Sequence, residues 1–337
     1  ALLYKGGLSV DEVIEAGKRV QRIPNVELVG FHEHHGRHKA TTDYWEAQMC
    51  AYARDIGRVC KALGGYQPQE ISIGGGFAIP RDPHNAATHY SDPVAFGALH
   101  MLSLGLKYLG SKIRYFVIDK VMAAAVKGGP NTVPAPSIEE YGQATTAALL
   151  EALPKHGVDP TGIMLQLEPG RSIHGNAGVH LTTIEATKKM TSPIQWNVVT
   201  IDTTEFWMVG GRYEHHLHDF RIANRLDAPN AIKADVVGRS CYGDRLLGAV
   251  SLPDVEVGDL FAMLDTGAYQ EVSASNFNAM PRPASVLVTD DRAAVIRRAE
   301  SLQDVFARDE VPEHLARSRS SATPDEKAAI ATGSAAL

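Results

Sequence analysis

Three short stretches of this 337-residue chain carry a run of glycines, or glycine beside side chains that bind anions or move protons. They are FHEHHGRH at 31–38, IGGGFAIP at 73–80 and LEPGRSIHGNAG at 167–178. Successive glycines at Gly74, Gly75 and Gly76 let backbone N–H groups approach a phosphate closely. A tight turn would use the same residues. Glu168 and Arg171 put an acid and a guanidinium in one loop, for a ligand or as a local ion pair. His32 and His34 share a face of an extended strand, because side chains alternate. Such a pair could bind a metal, lay one ring on a flat cofactor, or be hydrogen-bonded with no catalytic role. The His-rich stretch RYEHHLHDF at 212–220 reads as a solvated or ion-paired segment.

These loops need elements to hold them, and the periodicity supplies candidates. A helix pattern spans about 10–23, with Asp11 near its start. VELVGFHEH at 26–34 reads as a buried strand, bounded by Pro24-Asn25 and Gly36. A helix at about 44–63 leads to the strand EISIGGGF. Two apolar helical stretches follow, at about 93–109 and 113–126. SIEEYGQATTAALLEAL is a helix with Ser137 as N-cap and Glu140 completing a capping box. GIMLQLEPGR is a further strand. Strands alternating with helices imply a parallel α/β layout, with ligands at the carboxyl ends of the strands.

After about residue 190 the pattern changes. WNVVTID, IKADVVGRSC, DLFAMLDTG and PASVLVTD are short β-rich runs separated by Gly, Pro and Asp, which indicates a mainly antiparallel domain. A short helix is expected at about 293–306, then a mobile tail rich in Ser, Ala, Arg and Glu. The expected division is 1–190 for the α/β part, 191–306 for the β domain and 307–337 for the tail. Three strand ends cannot close a (β/α)8 barrel, which takes roughly 250 residues. The opening ALLYKGG reads as mid-domain sequence, so the expectation is an incomplete (β/α)8 TIM-type barrel, truncated at its N-terminus, rather than a small open sheet.

Bulk properties exclude some functions. The net charge of −6 and the lack of a dense Lys/Arg stripe give no electrostatic case for nucleic acid. No apolar run approaches the roughly 18 residues of a membrane span. Cys50, Cys60 and Cys241 are too scattered for a disulfide framework or a CxxC zinc site, and a reducing cytoplasm is the default.

In this order, the loops resemble those of the pyridoxal-phosphate (PLP) decarboxylases of the alanine-racemase fold, above all the diaminopimelate decarboxylases, with ornithine decarboxylase as a cousin. YKGGLS is similar to the family's SKFG-type segment, VGFHEHHG to its LHFHIGS strand and ISIGGGF to DIGGGF. LEPGRSIHGNAG is similar to EPGRSIVANAG. VVGRSCYGD resembles VVGPxCESGD, and VGDLFAMLDTGAYQEVSASNFNAMPRPASVLV resembles a thirty-residue stretch of the β domain. The likeness runs from about Tyr4 to Val288. It implies a PLP-dependent amino-acid α-decarboxylase. His34 would stack on the pyridine ring. Gly74, Gly75, Gly76, Gly170, Arg171 and Tyr269 would hold the phosphate, and Glu168 would pair with the ring nitrogen. Cys241 would act as general acid, reprotonating the α-carbon, although a small buried hydrophobe is the plain alternative. The resemblance also implies a homodimer with active sites at the interface.

Departures from the family pattern bear on substrate and activity. The family's Schiff-base lysine has no match here, since Lys5 falls in the YKGGLS segment. The chain as given is therefore expected to be inactive. Arg37 stands where the family has Ser beside the phosphate. Tyr242-Gly243-Asp244 is one residue shorter than Glu-Ser-Gly-Asp and lacks the acid that reads the far end of the substrate. Arg171, Arg212, Tyr242 and Asp244 are the candidate substrate contacts. The connection at 80–136 is longer than the family's. Two other readings stay open at this point: a metal-dependent barrel hydrolase using His32 and His34, and a non-catalytic fragment or paralogue.

Overall fold

The computed structural model describes residues 6–34, 41–79, 135–191, 195–208 and 218–315. The chain divides into two compact units, Ala1–Ala274 and Ser275–Leu337.

The first unit opens with helix α1 (Val10–Val20), started by a capping box between Ser9 and Glu12. A three-stranded parallel sheet follows, in the order β1 (Gly30–His32), β2 (Glu70–Ser72) and β3 (Met164–Gln166). Helix α2 (Thr42–Ala62) connects β1 to β2, and α3 (Ile138–Lys155) precedes β3. Ser137 and Glu140 form the capping box expected from the sequence. Alternation sorts the two faces of this sheet. Phe31, Ile71 and Leu165 stand in register and pack into a core with Trp45, Met49, Ile56, Tyr141 and Leu149 from the two helices. Trp45 and Phe77 stack at 4.4 Å within it. Full burial of such side chains is worth roughly 1.5–3 kcal/mol each, so the helix face fixes the sheet. The opposite face carries His32, Ser72 and Gln166, again in register, with Glu70 one step earlier.

The polar loop after β3 contains a single helical turn, α4 (Arg171–His174), and leads into a six-stranded sheet. Its strands are β4 (Val179–Met190), β5 (Trp196–Ile201), β6 (Phe220–Ile222), β7 (Ile232–Val237), β8 (Arg245–Leu252) and β9 (Leu260–Leu264), in the order β6-β9-β4-β5-β7-β8. All neighbours are antiparallel except β5 and β7. The core contains Ile184, Val199, Ile201, Ala234, Val236, Leu252, Phe261 and Met263. The sheet starts at Val179, ahead of the boundary read at 190. Helix α5 (Gln270–Ser273) closes the unit.

In the second unit, β10 (Ser285–Thr289) and β11 (Arg292–Arg297) form an antiparallel hairpin, followed by the short helix α6 (Leu302–Val305). The helix expected at about 293–306 is thus strand in its first part, to Arg297, and helical only at its end, Leu302–Val305. Asp290 turns the chain at φ 51°, Thr289 pairs with Arg292, and Val295 pairs with Val286. Cross-strand pairing of β-branched residues outweighs the helical pattern of Ala293 and Ala294. The helical stretches expected at 93–109 and 113–126 lie outside the described residues. So do most of the 80–136 connection and the end of the tail.

Candidate cofactor site

The carboxyl ends of β1, β2 and β3 converge through backbone contacts. Gly74 and Gly76 take positive φ, 66° and 107°. The Gly74 carbonyl accepts from the Glu168 N–H at 2.9 Å. A Cβ on Gly75 would collide with the Glu168 carbonyl, and one on Gly74 would press on Glu33 and His34. Only glycine lets these three loops meet so closely. His34 lies across the turn, and its Nδ1 accepts from the Gly75 N–H at 3.2 Å. That amide, one of the expected phosphate donors, is therefore engaged with His34 here.

On the other face of the sheet, His32 Nδ1 lies 2.8 Å from Ser72 Oγ and 3.7 Å from Glu168 Oε1. These side chains line a recess of about 330 Å³ with Glu70 and Gln166, which are joined by a 2.7 Å hydrogen bond.

The antiparallel sheet delivers Tyr269 to this place. The loop before β4 crosses the loop after β9, and Thr266 and Gly267 donate to the carbonyls of Gly178 and Gly175. Gly267 is so close that a Cβ on it would overlap the His174 carbonyl. Tyr269 is left-handed at φ 69°, which sets its ring beside the loop after β3. A Cβ on Gly170 would overlap the Tyr269 hydroxyl, and the buried Arg171 guanidinium lies 5.2 Å from the Tyr269 ring centre. Below the turn, His218 Nδ1 donates to the Leu264 carbonyl at 2.9 Å, which leaves Nε2 to accept from the Gln270 amide at 3.3 Å. His218 and Gln270 are buried. The sequence reading of 212–220 as solvated or ion-paired is thus corrected at His218. Its position just ahead of a β-strand was the available signal.

Cys241 sits in the loop joining β7 to β8. Asp244, expected to face the substrate, instead points inward and is 2% exposed. It accepts from the Thr204 hydroxyl at 3.2 Å, the Ser240 N–H at 2.7 Å and the Glu205 N–H. The reason is local: the turn leaves backbone donors in a buried place, and a carboxylate is a strong acceptor for them. Cys241 and Tyr242 are exposed, with Tyr242 edge-on to Phe206 at 5.7 Å. Beneath the loop, His180 Nε2 lies 2.8 Å from Thr203 Oγ1, and burial pushes this imidazole down to about 4. Arg212 and Arg37 lie outside the described residues.

The structure therefore brings together His34, Gly74, Gly75, Glu168, Gly170, Arg171 and Tyr269. Glycine backbone, a guanidinium and a phenol suit an anionic group such as phosphate. The carboxylate of Glu168 suits a protonated nitrogen. These residues fit pyridoxal phosphate. Among the described residues no helix is long and apolar enough to cross a membrane.

Strand-end loops of a parallel α/β sheet, completed by a residue from an antiparallel sheet, define a two-part cofactor-binding protein. This chain belongs to the family described as pyridoxal-dependent decarboxylase, C-terminal sheet domain, which matches residues 13–267. It is 41% identical over 152 residues to a diaminopimelate decarboxylase of Archaeoglobus fulgidus, covering 45% of this chain and 35% of the relative. It is 28% identical over 315 residues to that of Methanothermobacter thermautotrophicus, covering 91% of this chain and 68% of the relative. The crystal structure of diaminopimelate decarboxylase from M. jannaschii matches with a TM-score of 0.67 at 24% identity, covering 93% of this chain and 59% of that one. The chain thus spans only part of the length of the relatives it matches. Membership of this family replaces the metal-hydrolase reading.

Proposed function

We propose that the chain serves PLP-dependent α-decarboxylation of an amino acid with a second polar end, as the phosphate-binding and β-sheet part of such an enzyme. The observation that carries this is the contact between Gly170 and the Tyr269 hydroxyl. It joins the glycine loops of the parallel sheet to the antiparallel sheet. The three parallel strands are read as part of a (β/α)8 barrel of which the chain contains an incomplete share, with the β domain beginning at β4, Val179, ahead of the 190 boundary expected from the sequence, and 307–337 as the tail. The proposed setting is a cytoplasmic homodimer with Cys241 serving the partner's site.

Pyridoxal phosphate, when bound, supplies the electron sink for the pair of electrons left as CO2 departs. In this reading Gly74, Gly75, Gly76, Gly170, Arg171 and Tyr269 would hold its phosphate, with His34 giving up the Gly75 N–H to it. Glu168 keeps a proton on the ring nitrogen, and His34 covers one face of the ring. Cys241 delivers the proton to the α-carbon. Arg171, Arg212 and Tyr242 are the proposed substrate contacts. Asp244 supports the reading as the residue that holds Cys241 and Tyr242 outward. The family's lysine has no counterpart matched in this sequence, so the chain as given is expected to bind without turnover.

The test uses N-(5-phosphopyridoxyl)-L-lysine, in which cofactor and amino acid are already joined. Calorimetry should give at least tenfold tighter binding than for the same adduct without phosphate. Equal affinity would remove the phosphate assignment. Joined to the remainder of the Methanothermobacter enzyme, which the chain does not span, it should release CO2 from meso-diaminopimelate, L-lysine, L-ornithine or L-arginine. Release from none of them, with adduct binding intact, would restrict the chain to cofactor binding.

A further inference from the structure

We infer that His32 is a positioning residue for Glu168, and that it ties the nitrogen end of the cofactor site to the phosphate end. This inference rests on the proposed PLP site and deepens it. His32, Ser72 and Gly74 belong to two neighbouring strand ends, and Glu168 to the third. Gly74 N–H donates to Ser72 Oγ at 3.4 Å. Ser72 Oγ lies 2.8 Å from His32 Nδ1, which is 3.7 Å from Glu168 Oε1. The Glu168 N–H then donates to the Gly74 carbonyl at 2.9 Å. The contacts form a closed ring through four residues. One member, Gly74, opens the glycine turn that faces the phosphate, and another, Glu168, carries the carboxylate that faces the ring nitrogen.

The order of donors follows from chemistry. Ser72 Oγ already accepts from Gly74, and a hydroxyl can both accept and donate. With a proton on Nδ1, His32 donates to Ser72 Oγ at 2.8 Å, and the same edge of the ring lies 3.7 Å from Glu168 Oε1, within electrostatic reach of the carboxylate but not hydrogen-bonded to it. The imidazole edge then faces one carboxylate oxygen, Oε1, and biases how the carboxylate is turned. A carboxylate on a flexible side chain loses orientation without such a partner, and outer partners of this kind commonly fix the groups that touch a ligand. His32 is suited to this because it stands on a strand, in register with Ser72 and Gln166. Gln166 is itself held by Glu70 at 2.7 Å, so this side of the recess is ordered by its own hydrogen bonds. The histidine pair at 32 and 34 thus divides its work: His34 lies over the glycine turn, and His32 lies beside the carboxylate.

The experiment uses the chain as it is, with pyridoxamine 5'-phosphate labelled with 15N in the ring. This probe needs no lysine from the protein. The 15N shift of the bound ring reads the proton at that nitrogen, which a purely structural change elsewhere would not move. The unsubstituted chain should give the shift of a protonated pyridine, and Glu168→Gln should move it toward the unprotonated value. His32→Leu should move it part of the way and weaken probe binding several-fold. His32→Gln, which restores a donor near the same place, should return most of the shift. Ser72→Ala supplies a second route that leaves the histidine intact, and it should accelerate hydrogen exchange at the Gly74 amide together with a smaller 15N shift. If Glu168→Gln moves the signal while His32→Leu and Ser72→Ala leave it in place, His32 does not position Glu168. If Glu168→Gln itself leaves the signal unchanged, or the probe does not bind, the cofactor reading fails and takes this inference with it.

Discussion

The strand-end cradle and the Cys241 loop occupy the same unit and are made rigid in opposite ways. At the cradle, order comes from missing side chains. Gly74, Gly75 and Gly170 leave room for neighbouring backbone and for the Tyr269 hydroxyl, so three loops touch without filler. In the Cys241 loop, order comes from one added side chain. The Asp244 carboxylate sits inside the turn and gathers donors from Thr204, Glu205 and Ser240. The first arrangement closes its turn on side-chain acceptors, the Gly74 N–H on Ser72 Oγ and the Gly75 N–H on His34 Nδ1, so an anion gains the Gly75 donor by displacing His34. The second folds the Ser240 and Glu205 N–H groups around one internal carboxylate and leaves Cys241, Tyr242 and Gly243 on the surface.

The largest expected effect breaks the second arrangement. Asp244→Ala orphans buried donors, each worth about 1–3 kcal/mol, so chemical denaturation should show a loss of about 4 kcal/mol. Cys241→Ala, three residues away and exposed, should stay within about 0.5 kcal/mol. Comparable losses for the two would mean that Asp244 is not the support of the loop. The next effect acts on the cradle. Gly75→Ala forces a methyl against the Glu168 carbonyl, and overpacking of this kind costs about 2 kcal/mol. It should also abolish binding of the phosphopyridoxyl adduct, measured by calorimetry. Retained affinity would show that the loops can separate without losing the site.

Two acid transitions sharpen the comparison further. Burial pushes His180 down to about 4, against 6.5 when exposed. Between these values the unfolded chain binds more protons than the folded one, so stability falls as pH drops from about 6.5 toward 4. His180→Gln should flatten the melting temperature of the first unit in that window. The second unit titrates lower. Hydrogen bonds from Arg282 and from the Asn276 side chain hold the Glu300 carboxyl at about 2, below its ordinary 4.5. Its contribution is complete above 4.5 and is lost as pH falls toward 2. Arg282→Lys removes the paired guanidinium contacts and should cost less than Gly75→Ala, about 0.5–1 kcal/mol at neutral pH, with a reduced acid transition in the same melting experiment.

Much of this was legible in sequence where a local rule decides. Ser137 and Glu140 announced the start of α3, and the glycines after β2 announced a tight turn. The β-rich runs after 190 announced antiparallel strands. What the sequence hid depends on partners distant along the chain. Asp244 looks like any acid beside a reactive cysteine until Thr204 and Glu205 are folded against it. His218 looks solvated until Leu264 and Gln270 enclose it. The hairpin β10–β11 was concealed because Ala293 and Ala294 favour a helix and only the pairing with Leu287 and Val288 overrules them. His32 was visible as half of a pair, but its distance from Glu168 depends on two crossovers.

Tyr269 carries a consequence for how the sequence can drift. Its left-handed backbone, φ 69°, disfavours a residue with a bulky side chain by roughly 1–2 kcal/mol, and glycine or asparagine would sit there at less strain. A population of variants screened only for folding should therefore lose tyrosine at 269 and accumulate Gly or Asn. A population screened for phosphate capture should keep it. The residue at this one position then serves as a record of which pressure a descendant of this chain has experienced.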